Sequence, residues 1–152
     1  ISNMFLIKNL GVEPLSKKFD ENYLLQLSKN RLCSIKEFIM NQKIVVGIGN
    51  IYATEALFLS KIHPKMKAKY LTLSKAKSLV SNIKDVLVQA IDMGGTTIKD
   101  YVNADGKPGY FTQKLNIYQK KTCPIHKNNT VKNIKISGRS SFFCNLCQRE
   151  EL

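Results

Sequence analysis

A mainly α-helical chain that ends in a small β-hairpin module is the fold class this sequence predicts, on three observations. Up to about residue 94, apolar side chains recur at helical spacing between recognisable capping residues. Four glycines and a proline then fall within the sixteen residues Gly94 to Gly109, which marks a long loop. Beyond Lys114 helix formers thin out, Val131, Ile134, Ile136 and Phe142 alternate with polar residues, and cysteine and histidine fall in closely spaced pairs.

The elements follow in order. Residues 1–16 are irregular, with Gly11 and the pair Glu13-Pro14, and read as a linker. Asp20 is placed to cap a first helix, with Phe19 and Leu24 spaced as a hydrophobic staple and Tyr23, Leu24, Leu27 and Arg31 following at helical spacing. Ser34 and Glu37 have capping-box spacing, so a short helix starts at Ser34, takes its apolar face from Ile35, Phe38 and Ile39, and stops near Asn41. The run from Lys43 to Asn50 mixes β-branched residues with Gly47 and Gly49, which reads as a buried turn ending on Asn50 as the next cap. An amphipathic helix then carries Ile51, Ala53, Leu57 and Phe58 to about Lys61, before Pro64. A longer helix runs from Ser74 to about Met93, its stripe made by Leu79, Ile83, Val86, Leu87, Ala90 and Ile91, with Gly94 at its end. The domains are accordingly a linker at 1–16, a helical domain at 17–114 that includes the loop 94–111, and a terminal module at 115–152.

The terminal module carries the clearest chemistry. Cys123-Pro-Ile-His126 and Cys144-Asn-Leu-Cys147 are two knuckles, each with two intervening residues, separated by seventeen residues. Two ligands three apart on a tight turn reach one tetrahedral ion, and two knuckles at the ends of a hairpin close its coordination sphere. The expected cofactor is therefore a structural Zn²⁺ held by Cys123, His126, Cys144 and Cys147, with no open position for an activated water. About thirty residues have too little core of their own, so the metal is also what folds them.

The composition points to an anionic partner. The 152 residues hold 24 Lys and Arg against 11 Asp and Glu, a formal charge of +13, while 43% hydrophobic content excludes a disordered tail. From Gly106 to Arg149 there are nine basic residues and no acidic one. Such a run reads either as a phosphate-binding surface or as a solvated basic face, and the zinc hairpin favours the former. Arg139, just after Gly138, sits where a hairpin tip would present its guanidinium to a phosphate. The turn Gly47-Ile48-Gly49-Asn50 is a second candidate, since two glycines let the backbone approach an anion at a helix start, although Gly-x-Gly turns also serve packing alone. No run of about twenty apolar residues is present, so a membrane partner is not expected. The sparse, clustered cysteines are unlike a disulfide framework and point to a reducing cytoplasm.

Three stretches in this order, KIVVGIGNIYATEALF from Lys43, GGTTIKDYVNADGKPGYF from Gly94 and the hairpin ending at Cys147-Gln148, resemble the bacterial formamidopyrimidine-DNA glycosylase and endonuclease VIII family. The glycine-rich second stretch points to the formamidopyrimidine branch, and the likeness runs from about Leu10 onward. It implies a helix–two turns–helix domain followed by a zinc finger, both gripping the DNA backbone around a flipped, oxidised purine. By this resemblance Asn50 matches the phosphate-contacting asparagine, Arg139 the zinc-finger arginine, and Lys36, fourteen residues before Asn50, a lysine at the lesion and its phosphate. Gly47 and Gly49 belong to the same phosphate turn. The loop 94–111 matches the loop that folds over an everted oxidised guanine, so Thr96, Thr97 and Tyr101 are candidates for base contact. One departure is His126, where the family commonly has cysteine.

The family's catalytic residues are an N-terminal proline, whose amine attacks the sugar, and a neighbouring glutamate in an N-terminal β-rich domain. This sequence starts Ile1-Ser2-Asn3 and offers neither, so no catalytic residue is assigned. The expectation is the C-terminal part of a longer base-excision repair enzyme, or a truncated product, that binds duplex DNA with oxidised purines or abasic sites without excising bases. It would act as a monomer in the bacterial cytoplasm, at the nucleoid. The alternative is a stand-alone structural or regulatory zinc-containing nucleic-acid-binding protein; a zinc-ribbon adaptor for proteins fits poorly with the charge.

Overall fold

The computed structural model describes residues 11–92 and 115–149. The loop expected at 94–111, with Thr96, Thr97 and Tyr101, and the first ten residues of the expected linker lie outside them. The element order is α1 (Glu21–Ser28), α2 (Ile35–Met40), α3 (Asn50–Leu59), a 3₁₀ turn (Ala68–Tyr70), α4 (Leu73–Asp92), β1 (Lys132–Ile136) and β2 (Arg139–Phe143).

Two caps form as their side chains dictate. Asp20 accepts from the Tyr23 amide at 2.8 Å, and Phe19 and Leu24 are both fully buried in one core as a staple requires. The helix ends at Ser28, so Arg31 falls beyond it and donates from Nε to the Leu27 carbonyl at 3.3 Å. Ser34 caps α2, accepting from the Glu37 amide at 3.1 Å and donating its hydroxyl to Glu37 Oε1 at 2.9 Å. The chain at residues 11 and 12 is packed rather than linking: Gly11 N–H donates to the Gln42 carbonyl at 2.7 Å, and Val12 bridges Val45. A Cβ on Gly11 would collide with the Ile44 carbonyl, so no other residue allows this approach.

Asn50 is not the cap of α3. Gly49 takes that position without a side-chain bond, and the Asn50 side chain turns instead to the hairpin. Nor is α3 amphipathic, because Tyr52 to Phe58 are buried without a break. A helix buried on every side is central, and α3 packs on α2, α4 and β2. It ends at Leu59, where Lys61 takes a left-handed φ of 60°, before Pro64 has any say. Thr72 Oγ1 caps α4 from the Lys75 amide at 3.2 Å. Ala76, Leu79, Val80, Ile83, Val86, Leu87 and Ala90 face the core, whereas Ile91, expected in the stripe, is 53% exposed.

The two strands are antiparallel, with Ile136 opposite Arg139 and Lys132 opposite Phe143. Ser137 and Gly138 both have positive φ, 51° and 79°, which is a two-residue turn of the I′ kind that matches strand twist. Phe58 of α3 packs with Ile117, Cys123 and Cys144 in a second small core, so the helical body and the hairpin module share a wall. Among the described residues no helix is long and apolar enough to cross a membrane.

Candidate nucleic-acid interface and metal centre

Three contacts dock the terminal module on the helices. Glu55, within α3 and 2% exposed, accepts from the backbone amides of Asn116, Ile117 and Tyr118 at 2.7, 2.9 and 2.8 Å, and from the Asn116 side chain at 3.2 Å. Gln148, fully buried, donates to the Ile62 carbonyl at 2.9 Å and accepts from the Cys144 amide at 3.0 Å, and nearby the His63 and Phe143 rings pack at a tilt of 58° with centroids 4.5 Å apart.

The third contact gathers three of the five expected DNA-binding residues, Lys36, Asn50 and Arg139. Lys36 Nζ donates to the Ser140 carbonyl at 3.1 Å and to Ser141 Oγ at 2.5 Å, and Asn50 Nδ2 donates to the same Ser140 carbonyl at 3.0 Å. Arg139, exposed, is the adjacent residue in the chain. Lys36 and Arg139 line one cleft of about 380 Å³ between α2 and the hairpin turn. Lys36 is only 1% exposed, and burial followed by the Arg139 cation pushes its ammonium from the ordinary 10.5 down to about 8. The Asn50 amide spends one N–H on Ser140, and its buried Oδ1 has no partner among the described residues. Gly47 and Gly49 lie apart from this cleft, on an apolar groove of about 500 Å³ bordered by Tyr52 and Leu87. The Gly47 amide is engaged by Gln42 Oε1 at 3.0 Å and so is not offered to an anion.

Cys123, His126, Cys144 and Cys147 come together with their ligand atoms all within 4.8 Å of one another. Cys123 and Cys147 sulfurs are 3.6 Å apart, and His126 Nδ1 stands 3.1 Å from Cys147 Sγ and 3.8 Å from Cys144 Sγ. Sulfurs about 2.3 Å from a common tetrahedral centre stand about 3.8 Å apart, so this set can hold a metal ion through three sulfurs and Nδ1. The knuckle amides are aimed at the sulfurs: Ile125 and His126 donate to Cys123 Sγ, and Cys147 to Cys144 Sγ, each at 3.4 Å. Burial raises the Cys144 thiol, but the Cys147 and Leu146 amides and the Asn129 side chain outweigh it and hold the group at about 6. Burial and the neighbouring thiols push Cys147 up to about 12.

Glu55, Gln148 and the Ser140–Ser141 acceptors carry no assignment from the sequence. The one available signal was Glu55 itself, a lone carboxylate inside the apolar run YATEALF.

A helical body with a four-ligand knuckle hairpin clamped over the starts of two helices defines the helix–two turns–helix, finger-bearing class of protein. Residues 10–102 match the family model described as the formamidopyrimidine-DNA glycosylase H2TH domain, and the chain belongs to that family. It is 49% identical over 146 residues to the formamidopyrimidine-DNA glycosylase of Hydrogenovibrio crunogenus, covering 95% of this chain and 52% of that one. The Glaesserella parasuis enzyme is 48% identical over 145 residues, covering 95% and 53%. The chain thus spans about half the length of the curated relatives it matches. Among solved structures, the Lactococcus lactis Fpg in complex with abasic-site DNA superposes with a TM-score of 0.84 at 32% identity, over 98% of this chain and 55% of that one. The MutM (Fpg) protein of Thermus thermophilus does so with 0.83 at 33% identity, over 99% and 57%.

Proposed function

We propose that this chain is the DNA-gripping part of a formamidopyrimidine-DNA glycosylase and that it holds duplex DNA bearing an oxidised purine or an abasic site. The observation that carries this reading is the convergence of Lys36 and Asn50 on the Ser140 carbonyl, beside the exposed Arg139. Lys36 and Arg139 share one cleft with Glu37, whose carboxylate is taken up by Ser34 and Ser137, and among the described residues no carboxylate is ion-paired with either cation, which makes a site that a phosphate completes. The first-turn amides of α3 and the second Nδ2 proton of Asn50 supply further donors, and the Lactococcus lactis relative is itself bound to abasic-site DNA. Zn²⁺ is the ion that suits three thiols and an imidazole at tetrahedral spacing, and in a closed set it is structural: it fixes the hairpin that carries Arg139. Thr96, Thr97 and Tyr101 would meet the everted base. With no disulfide among its cysteines the protein suits a reducing bacterial cytoplasm, where it would work at the nucleoid, as a monomer.

The test is binding to a fluorescent duplex containing a tetrahydrofuran abasic analogue. Asn50→Ala and Arg139→Ala should each weaken binding by about 1 to 3 kcal/mol, almost independently of flanking sequence. Raising salt from about 50 to about 200 mM should cost about three- to fourfold in affinity per phosphate neutralised, and Arg139→Ala should lower the salt slope by about one. An affinity indifferent to salt would defeat the reading.

A further inference from the structure

We propose that Glu37 is a positioning residue for Arg139: its carboxylate latches the hairpin turn to the first turn of α2 and so fixes the direction of the guanidinium. The inference rests on the phosphate-binding reading of Arg139. A two-stranded hairpin is marginal on its own, and a two-residue turn at its tip is where it frays. Arg139 is the first residue after that turn and is itself exposed, so nothing in β2 alone dictates where it points. The dictation comes from α2. Ser137 Oγ donates to Glu37 Oε2 at 2.7 Å, across a hundred residues of sequence. Glu37 is held in turn by the cap of its own helix, with Oε1 accepting from Ser34 Oγ and its amide donating back to Ser34. On the other flank of Arg139, Lys36 holds the Ser140 carbonyl and Ser141 Oγ. Consecutive residues of one short helix therefore grip the chain on both sides of Arg139.

The chemistry of the latch separates it from a charge effect. Both side-chain partners of the Glu37 carboxylate are hydroxyls, and the Ser137 bond is the largest cause holding its pKa below the ordinary carboxylate range. A glutamine keeps both links, because its Oε1 accepts from Ser137 while its Nε2 donates to Ser34 Oγ. As a mere negative charge beside a polyanion, Glu37 would oppose binding, and its removal by any side chain would help.

The experiment is a mutant cycle on the zinc-loaded chain, read by affinity for the abasic-analogue duplex, with zinc content and thermal unfolding as controls. Glu37→Ala should weaken binding about three- to tenfold and Ser137→Ala should do the same, while Glu37→Gln binds at least as well as the parent. The double variant Glu37→Ala/Ser137→Ala should be no weaker than the worse single one, and in an Arg139→Ala background Glu37→Ala should change affinity by less than about twofold. Ser137→Ala leaves the α2 cap intact, so it keeps the test valid if Glu37→Ala unfolds the helix. Backbone ¹⁵N relaxation at Gly138 and Arg139 should show added motion in both Ala variants and none in Glu37→Gln. Equal gains for Glu37→Ala and Glu37→Gln, or an undiminished loss in the Arg139→Ala background, would overturn the latch while leaving the phosphate reading of Arg139 standing. An Arg139→Ala variant that binds like the parent would defeat that reading, and the latch with it.

Discussion

Lys36 donates to the Ser140 carbonyl at 3.1 Å from inside a helix that buries it to 1% exposure, next to the Arg139 cation. An ammonium so placed is destabilised relative to its solvated form, and its affinity for a proton falls to about 8. The unfolded chain binds that proton more tightly, so the cost is fully present below about pH 8 and is relieved as pH rises toward 10.5; at about 1.4 kcal/mol per unit it amounts to about 3 kcal/mol. Stability of the parent relative to Lys36→Met should therefore rise between about pH 8 and about pH 10 in urea titrations. If a phosphate occupies the cleft as proposed, it would restore the charge, so above about pH 8 duplex binding should take up a proton. Affinity should fall above about pH 8 by at most about tenfold per unit in the parent, with no such fall in Lys36→Met. Identical pH profiles for the two proteins would show that Lys36 is not the group responsible.

Zinc should be present at one ion per chain and should be needed for the hairpin. The second core, Phe58 with Ile117, Cys123 and Cys144, is small, and two of its four buried members belong to the candidate metal-ligand set. Removing the ion leaves three thiols and an imidazole crowded around no centre, and about thirty residues without enough apolar area to stay folded. Chelation should erase the NMR signals of β1 and β2 while leaving those of α1 to α4 in place. His126→Ala should lower zinc affinity at least about tenfold, read by competition with a chromogenic chelator. A His126→Ala protein that keeps the parent's zinc affinity would remove that residue from the set.

Glu55→Ala should be among the most destabilising single changes in α3. The carboxylate accepts four N–H groups, and the Ile117 amide it holds is buried. Deleting it leaves those donors without an acceptor at about 1 to 3 kcal/mol for a buried one, for a total of about 3 kcal/mol or more. Glu55→Gln retains one acceptor oxygen but faces the amides with an NH₂, so it should fall between the two. Urea midpoints with unchanged m-values provide the measure, and a loss below about 1 kcal/mol for Glu55→Ala would contradict the geometry.

What was legible in the sequence is what depends on neighbours along the chain. Asp20 and Ser34 cap where their spacing requires, the knuckles Cys123–His126 and Cys144–Cys147 meet, and Gly138 supplies a positive φ at the hairpin tip. What was not legible depends on contacts across the chain. A helix between a helical body and a hairpin module has no solvent face, so the amphipathic reading of α3 failed at Tyr52, Thr54 and Glu55. Asn50 was expected to cap because its residue type favours it; the Ser140 carbonyl, ninety residues away, claims its side chain and leaves the cap to Gly49. Lys36 carries no local sign of burial, since lysine is rarely buried and only the hairpin's carbonyl and hydroxyl make it tolerable here.

The 152-residue chain, tested alone, should bind oxidised-purine duplex and release no base. Glycosidic cleavage by the route the family resemblance implies needs an amine at the sugar and a carboxylate to move protons, and these 152 residues contain no Met-Pro-Glu sequence to supply them. Lys36 is the described amine with the most depressed proton affinity, yet two of its three donor directions are committed to Ser140 and Ser141, and its burial keeps it from a sugar carbon. Glu37 and Glu55 are each engaged by hydrogen bonds that fix structure. Slow strand scission at a preformed abasic site, which exposed amines give in general, is the most the chain should show. Borohydride trapping on lesion duplex under single-turnover conditions reads the outcome. A covalent adduct formed within seconds to minutes and mapped to a residue of this chain, with Lys36 the first to check, would establish catalysis where only binding is expected.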